Sequence, residues 1–390
     1  MVADNTPARP SSRPIRVAVV GGGPGGLATA IALSKNPNVE VHIYEKDLVL
    51  REVGAGINIG PNSWNVLELL GVADSLRTKL QSALLAHVPP GVVRLSKKLE
   101  KITDVGDKGV ELQFTDGTIE TADLVVGADG IRSVVRDCAW PDYKIAFTGT
   151  TIWRAILPLR DLTDQDARFG ITGWWHLPTS HVYFSPVGEG LGEIASREYQ
   201  DPAIHSASKV VWGVPVTNKH VESHFKDYLP SIRAALTKIP DGAWREFAAF
   251  AGPELASLTA WGGKIVLVGD SSHALSGAFG SGAGFAMEDG WTLAQALNHH
   301  GNDIGKAAAL FDRIRVPYYS RMYEYLGSQA AKRAEKLREL EVTTAGLTEE
   351  ERVKVKVIKE GGDMSWIYQN HIGKVWEAAL AEPEGDGKGL

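Results

Sequence analysis

Apolar positions along the chain follow two periods. Ile15 to Val20 and Val39 to Tyr44 are short apolar or alternating runs rich in β-branched residues, which predicts two strands. A glycine turn and a helical pattern through Leu33 lie between them, completing a βαβ unit. Further strands are predicted over Gly109 to Phe114, Leu124 to Gly127, Gly149 to Pro158 and Gly173 to Pro186, each bounded by turn residues, so the middle of the chain is sheet-rich. A helix is expected over Ser63 to Leu76, and a strand over Lys264 to Gly269 that enters a glycine-dense loop. Helices then follow over about Ala286 to Leu297, over Val316 to Leu340, and, after a charged linker, near Val375 to Leu380. The order βαβ, mixed sheet, βα, helices predicts an α/β fold with a sheet inserted into it.

Composition narrows the partners. Forty-one basic against 47 acidic residues give a net charge of −6, which offers no electrostatic case for nucleic acid or an anionic membrane surface. Cys138 is the only cysteine, so the chain can form neither an internal disulfide nor a thiolate-cluster metal site, as expected of a reducing compartment. Residues 1–14 read as an unpacked leader without the apolar stretch of a signal peptide, and no segment reaches the roughly 18–20 apolar residues that span a bilayer. A cytoplasmic monomer or homodimer acting on a small molecule is the expectation.

The turn itself carries chemistry. Gly21-Gly22-Gly23-Pro24-Gly25-Gly26 supplies Gly-x-Gly-x-x-Gly between strand and helix, and Glu45 ends the second strand. The first glycine permits the tight turn, the second lets the backbone approach a pyrophosphate, and the third lets helix and strand pack closely, while the helix N-terminus faces phosphate charge. Glu45 is placed to accept hydrogen bonds from a ribose diol, which disfavours a phosphorylated ribose and leaves FAD or NAD.

Three more stretches accompany this fingerprint: Arg51-Glu52-Val53-Gly54-Ala55-Gly56, Gly127-Ala128-Asp129-Gly130-Ile131-Arg132-Ser133, and Gly269-Asp270-Ser271-Ser272-His273-Ala274 with Gly280-Ser281-Gly282-Ala283-Gly284. Together, over residues 15–300, they resemble the group A flavoprotein monooxygenases, most of all those of the fungal salicylate hydroxylase type. The resemblance implies a glutathione-reductase-type FAD-binding domain in two parts, 15–148 and 255–300, a substrate domain over 149–254, and a C-terminal helical region over 301–390. It implies FAD contacts from Gly21, Gly23, Pro24, Gly25 and Gly26, and from Glu45, Lys46, Arg51 and Gly56. Arg77, heading the stretch Arg77 to Gln81, is expected to join them. Asp129 and Gly130 are expected to serve FAD and the nicotinamide cofactor, although Asp-Gly also occurs at Asp116, Asp241, Asp289 and Asp386, where an ordinary turn suffices. Asp270 is expected on the ribityl chain, with Gly280, Gly282, Ala283 and Gly284 turning backbone N–H groups toward the ring. His273 is read as a structural, hydrogen-bonded histidine, and Arg132 as structural or surface-exposed.

On the substrate side, Gly149 to Arg154 and His181 to Pro186 resemble the strands that enter the substrate domain and face the ring. Arg154 and Tyr183 are the catalytic candidates: a guanidinium near a phenol, whose ordinary pKa is about 10, favours phenolate and a more nucleophilic ring. The implied reaction is hydroxylation of a phenol or aromatic acid by O2 through a flavin hydroperoxide, with NADH or NADPH as transient reductant. Eleven tryptophans, among them Trp153, Trp174 and Trp175 near the expected pocket, suit stacking on an aromatic substrate. The chain departs from the family pattern in two places. A segment of a few tens of residues is missing after Leu76, and Ser276-Gly277-Ala278-Phe279 replaces the usual loop beside the flavin. A flavin epoxidase, an inactive FAD-binding variant and a plain NAD dehydrogenase stand as alternatives.

Overall fold

A computed structural model describes residues 13–50, 57, 59–76, 79–177, 179–200, 212–275, 277, 279–343 and 364–381, the side chains of 212 and 329–343 excepted. The chain opens with β1 (Ile15–Val20), α1 (Pro24–Leu33) and β2 (Val39–Tyr44), the βαβ unit of the apolar pattern. Next come α2 (Pro61–Leu70), α3 (Leu80–Leu85), the edge strand β3 (Val93–Arg94), and an antiparallel trio of β4 (Leu99–Asp104), β5 (Val110–Phe114) and β6 (Ile119–Ala122). Strand β7 (Leu124–Gly127) and α4 (Val134–Ala139) lead to the middle of the chain. There β8 (Ala146–Pro158), α5 (Leu159–Thr163), β9 (Gly173–His176), β10 (Ser180–Gly188), β11 (Leu191–Tyr199) and β12 (Trp212–Val216) precede α6 (Asn218–His224), α7 (Pro230–Thr237) and β13 (Trp244–Ala251). The last part holds β14 (Thr259–Ala260), β15 (Ile265–Leu267), α8 (Gly282–His299), α9 (Ile304–Thr343), α10 (Ser365–Tyr368) and α11 (Ile372–Ala381).

One six-stranded sheet has the order β14-β15-β7-β1-β2-β3, parallel except where β14 meets β15. Strand β1 is buried on both faces. Val17 and Val19 join the core beneath α1 and α8, while Ala18 and Val20 join the core under the three-stranded sheet, which accounts for its nearly unbroken apolar run. Because the next strand in sequence lies on one side of β1 and β7 on the other, a crevice opens at the carboxyl end of β1, where the glycine turn sits.

The second six-stranded sheet, β12-β13-β8-β11-β10-β9, is antiparallel. Its period-two alternation separates two faces: Trp153, Ala155, Val182, Phe184, Ile194 and Trp244 pack against α6 and α7, and Ile152, Arg154, Tyr183, Glu193, Ala195 and Arg197 face a cavity. Fully burying one large apolar side chain of this kind stabilises the fold by about 1.5–3 kcal/mol.

Several elements differ from the expectations. The strand expected over Gly173 to Pro186 is the hairpin β9–β10, turned where Leu177 N–H donates to Ser180 O. Helix α2 stops at Leu70 because Gly71 adopts φ 80°, and only a short 3-10 turn, Ala73–Ser75, follows. Helix α8 begins four residues early, at Gly282, and Asp289-Gly290 lies inside it rather than in a turn. Helix α9 begins at Ile304 and runs through Pro317, held by the buried stripe Ala307, Leu310, Phe311 and Ile314. Among the described residues, no helix is long and apolar enough to cross a membrane, and no cluster of His, Cys, Asp or Glu could hold a metal ion.

Candidate functional site

The glycine turn is forced by its surroundings. Gly21 has φ 107°, and a Cβ there would lie 2.4 Å from Ala128 O; a Cβ on Gly26 would lie 2.0 Å from Gly21 O. Gly25 sits where α1 crosses α8, its would-be Cβ 2.9 Å from that of Ala286. A Cβ on Gly23 would meet nothing within 4 Å, so its backbone borders open space at the start of α1, where Pro24 occupies the first turn. Glu45 closes the turn from β2: its Oε2 accepts Gly22 N–H at 2.7 Å and its Oε1 accepts Asp47 N–H at 3.0 Å. Lys46 beside it is exposed. Gln81 on α3, which the motif reading did not single out as a site residue, donates to Gly22 O at 3.0 Å. Arg51, Gly56 and Arg77 lie outside the described residues.

Beside the glycine turn, Asp129 follows β7, its Cα 3.1 Å from where a Gly21 Cβ would lie, and Gly130 takes φ 77°. The Asp129 Oδ2 accepts Val134 N–H at 2.7 Å and Val135 N–H at 3.2 Å, tying the loop to α4. Its Oδ1 is buried and has no hydrogen-bond partner among the described residues, and desolvation pushes the carboxyl above its usual range. Asp270, in the 3-10 turn Gly269–Ser271, borders the same cavity as Gly280, Gly282 and Ala283, and desolvation raises its pKa too. The amino end of α8 brings Gly284 against α2, where a Cβ would lie 2.2 Å from Ser63 Oγ. Asn62 and Ser63 are buried there and hydrogen-bond Ser281, with Asn62 Nδ2 donating to its Oγ at 3.0 Å. His273 is 1% exposed and borders the cavity, and its Nε2 lies 3.1 Å from Asp289 Oδ2, as a hydrogen-bonded structural histidine would.

The cavity, about 390 Å³, lies between this loop and the open face of the antiparallel sheet. Register brings the two catalytic candidates onto the strands that flank β11: Arg154 on β8 and Tyr183 on β10 both pair with Ala195 of β11, and all three border the cavity. Arg154 Nε donates to Glu193 Oε1 at 2.6 Å, and Glu193 is 3% exposed. Arg197, two residues beyond Ala195, was not anticipated. It meets Gly277 O at 3.5 Å, and burial together with the Arg154 charge lowers its pKa. Trp174 borders the cavity with its ring 4.4 Å from that of Tyr183. Trp153 and Trp175 are corrections: both face the opposite side of the sheet, Trp153 buried beside Phe225 and Trp175 packed on Phe169. Strand alternation put neighbouring tryptophans on opposite sides.

These features fit an extended dinucleotide. The backbone at Gly23 is open to approach, Asp129 Oδ1 has no hydrogen-bond partner among the described residues, and the amino end of α8 meets Asp270 at a cavity with room for a flat ring.

Comparison with known proteins gives four results. Residues 19–50 match a family model described as an NAD(P)-binding Rossmann-like domain. The 3-amino-4-hydroxybenzoate 2-monooxygenase PtnB3 of Streptomyces platensis is 30% identical over 350 residues, spanning 77% of this chain and 84% of that protein. The 3-hydroxybenzoate 6-hydroxylase of Klebsiella oxytoca is 29% identical over 357 residues, spanning 79% and 86%. A solved salicylate hydroxylase in its substrate complex shares the fold with a TM-score of 0.76 at 24% identity, covering 96% of this chain and 100% of that one. The PtnB3 alignment runs over 350 positions but draws on 77% of 390 residues, about 300, so roughly 50 of its positions face no residue here.

Proposed function

The chain belongs to the FAD-dependent aromatic hydroxylases, and from that premise we propose that it hydroxylates a phenol bearing a carboxylate, with NAD(P)H as reductant and O2 as oxidant. Bound FAD supplies the activated oxygen. Gly21, Gly23, Pro24, Gly25, Gly26 and Glu45 would hold its adenosine and pyrophosphate half, with Lys46, Arg51, Gly56 and Arg77 as further candidates. Asp129, Gly130, Asp270 and the stretch Gly280 to Gly284 would hold the other half. Residues 149–254 would form the substrate domain between the two parts of the FAD-binding domain.

The observation that carries the substrate class is the charge on the cavity face. Glu193 is committed to Arg154, and Asp270, the other acid among the described lining residues, stands on the 3-10 turn Gly269–Ser271 rather than on the sheet face. Arg197 then faces the cavity beside a second guanidinium, in surroundings that penalise its charge. An anionic ligand group relieves both penalties, and a carboxylate matches the planar guanidinium fork. With the carboxylate on Arg197, the ring is placed against Trp174 and Tyr183. Arg154 then favours ionisation of the ring hydroxyl, which raises the electron density of the carbon to be hydroxylated. Exclusion of water by the sheet and the glycine loop strengthens these interactions.

The test is a screen of hydroxybenzoates against neutral phenols and prenylated aromatics of similar size, following NADH and NADPH oxidation and identifying products by mass spectrometry. Hydroxybenzoates should stimulate oxidation and gain one oxygen, with or without loss of CO2. Turnover confined to neutral phenols, or epoxide formation on a prenyl group, would overturn the reading.

A further inference from the structure

Asp289 lies one helical turn and more inside α8, away from any glycine motif, and its carboxylate is completely buried. Four donors converge on it, and they divide cleanly between its two oxygens. Oδ2 accepts Gly269 N–H at 2.9 Å and meets His273 Nε2 at 3.1 Å, both from the loop that carries Asp270. Oδ1 accepts Arg315 Nε at 2.7 Å and Tyr319 OH at 2.7 Å, both from α9. Arg315 also donates to Tyr319 OH at 2.8 Å, and the Tyr319 ring stacks on His273 at 3.9 Å between centroids. Burial alone would raise the Asp289 pKa, but the Arg315 charge and the His273 contact outweigh it and hold the group at about 2, so it stays a carboxylate.

We propose that Asp289 is a positioning residue for the flavin: it fixes the Gly269–His273 loop against α9, so that the C-terminal helix sets where Asp270 stands. The proposal rests on the FAD reading above. A carboxylate is required because only it offers an acceptor to each side. An Asn at this position has one acceptor oxygen and one NH2 donor. Arg315 and Tyr319 are both donors and retain the oxygen. The NH2 then points at the loop, where His273 can adapt by changing tautomer but Gly269 N–H is left facing another donor. The fold tolerates this change better than it tolerates removal of the arginine, since Arg315 keeps the Tyr319 hydroxyl and Glu288 Oε2, at 3.1 Å, as polar neighbours.

Three proteins decide the matter: wild type, Asp289→Asn, and Tyr319→Phe, which removes one donor without altering charge. Each is stripped of flavin, its melting temperature is measured, and FAD affinity is determined by quenching of flavin fluorescence. Expected are a loss of FAD affinity of at least tenfold in Asp289→Asn and a smaller loss in Tyr319→Phe. The bound flavin of Asp289→Asn should also show an altered visible circular dichroism spectrum. Where Asp289→Asn does not fold, Tyr319→Phe alone decides. Variants that melt lower without FAD yet bind it as tightly as wild type would overturn the proposal, leaving Asp289 a core contact. A wild type that binds no FAD would instead overturn the reading on which the proposal rests.

Discussion

At the scale of single residues, charge placement decides more than residue type. Arg154 and Arg197 border the same cavity, but only Arg154 has Glu193 against it. Arg197→Met should therefore raise KM for carboxylated substrates by the worth of a charge-assisted hydrogen bond, about 1.5–3 kcal/mol or roughly 10- to 150-fold. FAD affinity and turnover of any neutral phenol should be unchanged. Steady-state kinetics on a matched pair, hydroxybenzoate and phenol, checks this, and an equal effect on both members would contradict it. Arg197 was not legible in the sequence. It stands in a stretch, Ser196-Arg197-Glu198-Tyr199, with the look of an exposed strand end, and only the register of β11 against β8 brings it beside Arg154. Asp289 was hidden differently: its Asp-Gly pair reads as a turn, and its partners Arg315 and Tyr319 lie 26 and 30 residues further along the chain.

At the scale of elements, the glycine turn separates folding from binding. A Cβ on Gly26 would clash with Gly21 O, whereas one on Gly23 would meet nothing. Gly26→Ala should lower the melting temperature of the flavin-free protein. Gly23→Ala should leave it unchanged and weaken FAD binding, because the added methyl enters the space left for the pyrophosphate; a Gly23→Ala variant that binds FAD normally would place the pyrophosphate elsewhere. This turn was legible because strand, glycines, helix and acid are local in sequence. Helix α8 offers a second test. Desolvation, partly offset by Arg315, raises the Glu288 pKa from 4.5 to about 7. The folded chain thus holds a proton that the unfolded chain releases. The stability this confers is full below about pH 4.5 and is lost as pH rises through about 7. Glu288→Gln should therefore flatten the fall in melting temperature between pH 5 and pH 8, and identical slopes in wild type and variant would contradict the account.

At the scale of the whole molecule, the order of elements predicted the fold: a parallel sheet interrupted by an antiparallel one, closed by helices. What was not legible is how the parts meet. The apolar stripe of α9 and the buried residues Ile367, Ile372 and Ala379 share one core with β1 and α1, a long-range fact that no local period encodes. The division of the cavity between loop and sheet is equally non-local, since its lining runs from Ile57 to Phe285. The roughly 50 alignment positions without a residue here bear on the central claim, because a crevice built from the remaining residues must still hold the cofactor. The most direct measurement is the visible absorption spectrum of the purified chain after incubation with excess FAD and removal of free flavin by gel filtration. Flavin bands in the protein fraction at a stoichiometric level are the predicted result; a folded protein that emerges colourless would contradict it.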